Sequence, residues 1–152
     1  MTKINDKIEA FQLETDQGTF NSKDHIGKNL VLFFFPKADT TGCTKESISF
    51  SNLINDFENL NTIVIGISKD TVEKQKKFKS KYDLKCILGS DVDVKICSKF
   101  GVWVEKSMYG KKYMGIQRST FLINTEGKIQ HIWNKVKVPG HAEEVLEVLK
   151  KL

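Results

Sequence analysis

The apolar run Asn29–Phe35 (NLVLFFF) is the feature that most constrains how this chain can fold. From Leu30 onward the run has no polar position, which is typical of a strand buried on both faces of a sheet. A second run of this kind, Thr62–Ser68 (TIVIGIS), follows a segment with helical apolar spacing. Two buried strands joined by a helix predict a parallel pair within an α/β fold.

The remaining elements complete this outline. Asp16-Gln-Gly18 and Asn124-Thr-Glu-Gly127 are turn signals typical of hairpins. We predict a hairpin over 11–20, helices over 42–60, 71–82, 94–100 and 140–152, strands over 85–88, 118–124 and 128–133, and a loop or irregular hairpin over 101–115. This order predicts a single domain over residues 1–152 with a thioredoxin-like α/β fold, in which a mixed central sheet has helices on both faces and an N-terminal hairpin.

Composition and charge argue against two classes of partner. The longest apolar run has six residues, whereas a membrane-spanning helix needs about 20, and the first residues lack an apolar stretch of signal-peptide length. We therefore expect a cytoplasmic protein that does not bind membranes. The net charge of +5 is dispersed, and its densest basic cluster, Lys74–Lys81, is typical of the solvated side of a helix. We therefore expect no binding of nucleic acid.

The cysteines and histidines lack the spacing of a disulfide framework or a structural zinc site. The three cysteines are Cys43, Cys86 and Cys97, and the three histidines are His25, His131 and His141. Reduced thiols in a cytoplasmic protein fit this pattern better. We expect Cys86 to be a small core residue in a strand, and each histidine to be structural or solvent-exposed.

Cys43 stands where the first buried strand gives way to the long helix. Active sites of parallel α/β sheets gather at this edge, and the free N–H groups of a helix's first turn favour an anion. Phe50 lies seven residues further along the helix, which predicts that Cys43 borders the core-facing side. Thr40 or Thr41 can cap the helix and can also hydrogen-bond a bound oxygen.

A helix terminus alone does not ionise a thiol. Lowering the pKa of a thiol from ~8.5 to ~6 takes about 3.4 kcal/mol, whereas a helix terminus supplies ~0.3–1 kcal/mol, or ~2 kcal/mol when partly buried. Arg118 is the single arginine among 24 basic residues, so its planar guanidinium is the candidate cation. From the spacing alone, an ordinary buried Cys43 and a surface Arg118 remain the alternative.

The residues around Cys43 also carry a resemblance. Pro36-x-x-x-Thr40-x-x-Cys43 resembles the P-x-x-x-T-x-x-C signature of peroxiredoxins, and LVLFFFPKADTTGCTKE is similar to the bacterioferritin-comigratory (PrxQ-type) branch of that family. Further agreement comes from Ser90-Asp91, from KFGVW (99–103) and from GIQRSTFLI (115–123), in which Arg118 stands where the family keeps an arginine. The resemblance extends over nearly the whole chain.

The resemblance implies a thiol-dependent peroxidase acting on hydrogen peroxide and organic hydroperoxides. Cys43 would be the peroxidatic cysteine, oxidised to a sulfenic acid, and Thr40 would hold the peroxide by hydrogen bonding. Arg118 would stabilise the thiolate and the charge on the separating oxygens, and Pro36 would shield the sulfur. Glu46 matches a frequent acidic position that would orient Arg118. Neither a metal nor an organic cofactor is implied.

The chain departs from this branch at the resolving cysteine. Many relatives carry it five residues after the first, where this chain has Ile48, and the other position used, within 71–82, contains no cysteine. Cys97 falls on the short helix where relatives can carry a cysteine that turnover does not need. We expect thioredoxin or another outside thiol to recycle Cys43, with Cys97 or Cys86 as internal resolver left open.

Two further points stay open from the sequence. Because the resolving cysteine is missing, an alternative function stays open. The chain would then be a peroxide-sensing or holdase-like thiol protein that uses the same oxidation of Cys43 without efficient turnover. The oligomeric state is expected to be a monomer or a small homodimer.

Overall fold

The structure, a computed structural model, describes residues 3–152. Its strands are β1 (Gln12–Thr15), β2 (Gly18–Asn21), β3 (Asn29–Phe34), β4 (Thr62–Ser68), β5 (Ile87–Ser90), β6 (Trp103–Met108), β7 (Lys111–Ile116), β8 (Ser119–Ile123) and β9 (Ile129–Trp133). Seven of them form a central sheet in the order β2-β1-β5-β4-β3-β8-β9, and β6 and β7 form a separate hairpin. The helices are α1 (Thr41–Asn52), α2 (Ile54–Asn59), α3 (Val72–Tyr82), α4 (Lys95–Lys99) and α5 (His141–Lys150), with a short 3-10 helix at Ser22–His25.

Strand β3 lies inside the central sheet, between β4 and β8. It pairs in parallel with β4, where Phe34 lies opposite Ile67, and antiparallel with β8, where Phe34 lies opposite Ser119. The predicted mixed sheet is therefore confirmed. The carboxyl ends of β3 and β4 meet the amino end of β8 at one edge, and α1 begins there.

Alternate residues of β3 divide the core into two clusters. Val31 and Phe33 pack on the side that holds buried residues of α1, α2, α3 and α5. Leu32 and Phe34 pack on the other side, with α4 and the N-terminal hairpin. This arrangement follows from period-two alternation in a strand buried on both faces, and it confirms helices on both faces of the sheet.

The helix predicted over 42–60 is two helices. Leu53 leaves the helical conformation (φ −103°, ψ 8°), and its N–H donates to the carbonyl of Phe50 at 3.1 Å, which tightens the last turn of α1. Helix α2 then restarts with the N–H of Phe57 donating to the carbonyl of Leu53. The apolar spacing continues across this break, so periodicity alone predicted one helix.

Two other elements differ from the prediction. The strand predicted over 85–88 is β5, Ile87–Ser90, so Cys86 lies immediately before a strand rather than inside one. The segment 101–115 contains a regular hairpin, β6–β7, whose turn residues Tyr109 (φ 53°) and Gly110 (φ 78°) have the paired positive φ angles of a type I′ turn. Across residues 3–152, no helix has the length and apolar character needed to cross a membrane.

Candidate active site

Cys43 lies in the first turn of α1, with 1% of its surface exposed. The first hydrogen bond of this helix runs from the N–H of Thr44 to the carbonyl of Thr40 at 2.9 Å. The N–H groups of Thr41, Gly42 and Cys43 precede it and belong to the helix end that favours an anion. The sulfur is therefore shielded from bulk water and lies at the positive end of α1.

Arg118 joins Cys43 to Glu46. It immediately precedes β8, the neighbour of β3, and this position lets its guanidinium reach α1. Nη2 lies 3.2 Å from Cys43 Sγ, and Nη1 donates to Glu46 Oε1 at 2.7 Å. A Cβ at Gly42 would lie 3.1 Å from Nη2, so the glycine leaves room for this close approach. The structure thus brings together the cysteine, the arginine and the acidic residue singled out from the sequence.

The Glu46 carboxyl is a buried partner of that guanidinium. Only 1% of the residue is exposed, and Oε2 has no hydrogen-bond partner among the described residues. Burial raises the pKa of Glu46 to about 7, against the opposing charge and hydrogen bond of Arg118. Partial burial lowers the pKa of Arg118, but the negative charges of Glu46 and Cys43 outweigh it and raise that pKa overall. The guanidinium therefore stays charged beside the sulfur.

Thr40 differs in one respect from the expectation. It is the N-cap residue of α1, but its hydroxyl donates to the carbonyl of Lys37 at 2.8 Å rather than capping the helix. Because the hydroxyl proton is used there, the oxygen of this exposed side chain is left as an acceptor. Pro36 is exposed, two residues after the end of β3.

The loop between β3 and α1 is anchored by contacts that the sequence did not predict. Asp39, at φ 62°, accepts hydrogen bonds from Tyr82 Oη at 2.6 Å and Lys81 Nζ at 2.9 Å, and these bonds lower the pKa of its carboxyl. The N–H of Ala38 donates to Asp70 Oδ2 at 2.7 Å. These partners lie more than thirty positions away along the chain, so no local pattern could have indicated them.

Lys106 of β6 is a second cation near the sulfur that sequence reasoning missed. Its Nζ donates to the carbonyl of Ile116, two residues before Arg118, and its side chain runs over Gly115. Partial burial and the charge of Arg118 lower the pKa of Lys106, whereas the electrostatic effect of Cys43 opposes them. The chain has 23 lysines, so nothing in the sequence distinguished this one.

The other two cysteines are buried apart from this constellation. Cys97 on α4 belongs to the core cluster on the opposite side of the sheet from Cys43, and burial and then Asp91 raise its pKa. Cys86 shares the cluster of Cys43, but its Sγ accepts from the hydroxyl of Ser51 at 3.7 Å, eight residues along α1. Burial raises the pKa of Cys86 to about 11.

His141 is a buried structural residue, in agreement with the expectation. It is 3% exposed, and its Nε2 lies 2.7 Å from Thr120 Oγ1. Burial and then the charge of Arg118 lower its pKa to about 4, so the ring is neutral at pH 7. Within residues 3–152, no group of three or more metal-binding side chains is placed to hold an ion.

Comparisons with known proteins agree with this geometry. Residues 4–132 match the AhpC/TSA family. Putative peroxiredoxin Bcp of Coxiella burnetii is 46% identical over 95% of this chain and 96% of that protein, and peroxiredoxin Bcp of Bacillus subtilis is 42% identical over 99% and 96%.

Solved structures agree as well. A mutant of Xylella fastidiosa PrxQ has a TM-score of 0.95 at 38% identity and covers 99% of this chain and 97% of that one. The bacterioferritin comigratory protein of Xanthomonas campestris, solved as trapped intermediate and ligand complexes to study its alkyl peroxide reduction activity, has a TM-score of 0.89 at 38% identity, covering 96% and 98%. The chain therefore belongs to the AhpC/TSA family, within its bacterioferritin-comigratory, PrxQ-type branch of peroxiredoxins.

Proposed function

We propose that this protein is a thiol-dependent peroxidase that reduces hydrogen peroxide and organic hydroperoxides through the thiolate of Cys43. The observation that carries the proposal is the position of the Arg118 guanidinium. Its Nη2 lies 3.2 Å from Cys43 Sγ, and its Nη1 lies 2.7 Å from Oε1 of the buried Glu46 carboxyl. The guanidinium and the free N–H groups of α1 stabilise the thiolate together. The alkyl peroxide reduction activity of the Xanthomonas campestris relative supports the reaction class.

The chemical step follows from these groups. The thiolate attacks one peroxide oxygen, so that the S–O bond forms as the O–O bond breaks. The peroxide proton passes to the leaving oxygen, which departs as water or an alcohol, and the sulfenate left on Cys43 takes up a proton from solvent to become a sulfenic acid. Arg118 stabilises the charge that grows on the separating oxygens, Thr40 Oγ1 accepts a hydrogen bond from the peroxide, and Pro36 limits access of water.

We propose that an outside thiol, thioredoxin or another, returns Cys43 to the thiol state. The central sheet separates Cys43 from Cys97, and eight residues of α1 correspond to ~12 Å between Cys43 and the contact of Cys86 with Ser51. A disulfide needs Cα atoms within ~7 Å, so either internal bridge would require rearrangement of α1 or of the sheet. These separations support resolution from outside.

Two measurements on one sample test the proposal. Steady-state peroxide consumption with thioredoxin, thioredoxin reductase and NADPH should be sustained, whereas a peroxide sensor or holdase would show a single stoichiometric event. Intact mass after one equivalent of peroxide should show the gain of one oxygen. The loss of two hydrogens would instead indicate an internal disulfide.

Cysteine variants provide the matched controls. Cys43→Ser should abolish consumption, and Cys97→Ala and Cys86→Ala should leave it nearly intact, with circular dichroism checking that each variant is folded. Loss of turnover in Cys97→Ala, with normal oxidation of Cys43, would contradict resolution by an outside thiol.

We further propose a cytoplasmic protein that works as a monomer or a small homodimer. Cys43, Cys86 and Cys97 are all unpaired, which fits a reducing compartment. Sedimentation of the reduced and oxidised protein would measure the oligomeric state, and fractionation of cells would test the location.

A further inference from the structure

One face of the β6–β7 hairpin exposes apolar side chains beside the site. Lys106 lies opposite Tyr113, and Met108 lies opposite Lys111. Directly opposed residues of an antiparallel pair share a face, so these four form one surface, called here the outer hairpin face, with Tyr109 at its turn. Trp103 and Ile116 alternate onto the other face, where they pack against the core.

The exposure of this face is unusual for the molecule. Tyr109 is 97% exposed, Met108 56% and Tyr113 43%. Among residues 3–152, four of the eight exposed large apolar side chains lie on this hairpin, the fourth being Met114 on its opposite face. Clustered exposed apolar and aromatic residues are a mark of protein contact surfaces rather than of a solvated hairpin.

The outer hairpin face lies within the footprint of any protein that reaches Cys43. The Lys106 side chain leads from this face to the carbonyl of Ile116, two residues before Arg118. Tyr113 is three residues before Ile116 along β7, a distance of ~10 Å. A standard protein interface covers ~800 Å² per partner, a patch of roughly 16 Å radius. A protein thiol brought to Cys43 would therefore cover this face.

The charge of the surface around the hairpin and the start of α1 indicates the kind of partner. The exposed lysines near the hairpin and the start of α1 are Lys37, Lys45, Lys69, Lys111 and Lys112. The lysines outnumber the acidic residues here: Asp39 pairs with Lys81 at 2.9 Å, Glu105 pairs with Lys112 at 3.7 Å, and Asp70 accepts from the N–H of Ala38 at 2.7 Å. The surface is therefore positive, which favours and steers an acidic partner.

We propose that the outer hairpin face is the docking surface for an acidic thiol protein that reduces the sulfenic acid of Cys43. This inference rests on the proposed peroxidase function. The partner's thiolate attacks the sulfenic sulfur, forming a mixed disulfide as the oxygen leaves, protonated, as water. A second thiol of the partner then attacks the partner's sulfur that is bonded to Cys43. This step releases the thiolate of Cys43 and leaves the partner oxidised, with an internal disulfide.

The test compares two reductants on the same variants. Dithiothreitol needs no docking surface, whereas a bacterial thioredoxin or glutaredoxin with its NADPH-dependent recycling system does. The double variant Met108→Ser/Tyr113→Ser should raise the KM for the protein reductant about tenfold, as expected for losing anchors of an interface, while dithiothreitol-driven turnover stays at the wild-type rate. Lys111→Glu should also raise that KM, and its increase should shrink at high salt.

Two matched controls separate this face from exposure in general. Met114→Ser removes an apolar side chain of similar exposure, 49%, from the opposite face of the same hairpin. Ile26→Ser removes one that is 80% exposed and precedes the amino end of β3, away from the site. Both should leave the KM for the protein reductant unchanged.

The remaining outcomes overturn the proposal. An unchanged KM in the double variant, an equal rise in Met114→Ser, or a wild-type protein that turns over with dithiothreitol but with neither protein reductant would each do so. Equal losses with both reductants would assign the face to the peroxide, and loss of a dimer in the double variant would assign it to a second copy. If the wild type fails even with dithiothreitol, the proposed peroxidase function itself fails.

Discussion

At the scale of single residues, the shape of the Arg118 side chain matters as much as its charge. Its two terminal nitrogens reach Cys43 Sγ and Glu46 Oε1 at once, which a lysine ammonium cannot do from one position. We predict that Arg118→Lys lowers the rate of Cys43 oxidation by hydrogen peroxide ~100-fold, the loss typical of one removed donor to a developing anion. Stopped-flow tryptophan fluorescence of the reduced protein would measure this rate.

A reciprocal exchange controls for the chemistry of the substitution. Lys112→Arg makes a charge-conserving change at an exposed lysine of β7 and should leave the rate unchanged. If Cys43 in Arg118→Lys were instead oxidised at the wild-type rate, a positive charge alone would suffice. The two-nitrogen geometry of the guanidinium would then have no part in the reaction.

At the scale of elements, the sequence predicted the segments whose place in the fold follows from an apolar pattern or turn residues that they themselves contain. Strand β4 matches the predicted bounds of the second apolar run, and Asn124-Thr-Glu-Gly127 does separate β8 from β9. The break between α1 and α2 at Leu53 could not be predicted, because the apolar spacing continues across it. The proximity of Cys43 and Arg118 could be predicted because a single arginine stands out among the basic residues, whereas nothing in the sequence distinguishes Asp39 and Tyr82 as partners.

Helix α4 shows how one side chain can hold a short element. Asp91, 3% exposed, accepts from the N–H of Cys97 at 2.7 Å and from that of Ile96 at 3.2 Å. We predict that Asp91→Asn lowers the free energy of unfolding by ~1–3 kcal/mol, because the charge-assisted bonds weaken and one acceptor is lost. Urea denaturation would measure it. Asp93→Asn, at an exposed position of the same turn, should change it little, and equal effects would contradict the role of Asp91.

At the scale of the whole molecule, two buried groups make stability depend on pH with opposite signs. The pKa of Glu46 rises from 4.5 to about 7 on burial, so its contribution to stability is fully present below pH 4.5 and is lost as the pH rises through 7. The pKa of His141 falls from 6.5 to about 4 on burial, so its contribution is fully present above pH 6.5 and is lost as the pH falls through 4. Between pH 6.5 and 4.5 the two effects oppose each other.

We therefore predict that single substitutions uncover the hidden dependence on pH. As the pH falls from 6.5 to 4.5, the free energy of unfolding of His141→Gln should rise relative to the wild type, and that of Glu46→Gln should fall, each by ~2 kcal/mol. Urea denaturation across this range measures the differences, in which the exposed carboxylates cancel because all three proteins share them. Substitution alone can lower stability at every pH, so only the slope carries the prediction. Three parallel curves would show that neither buried group changes its proton affinity on folding.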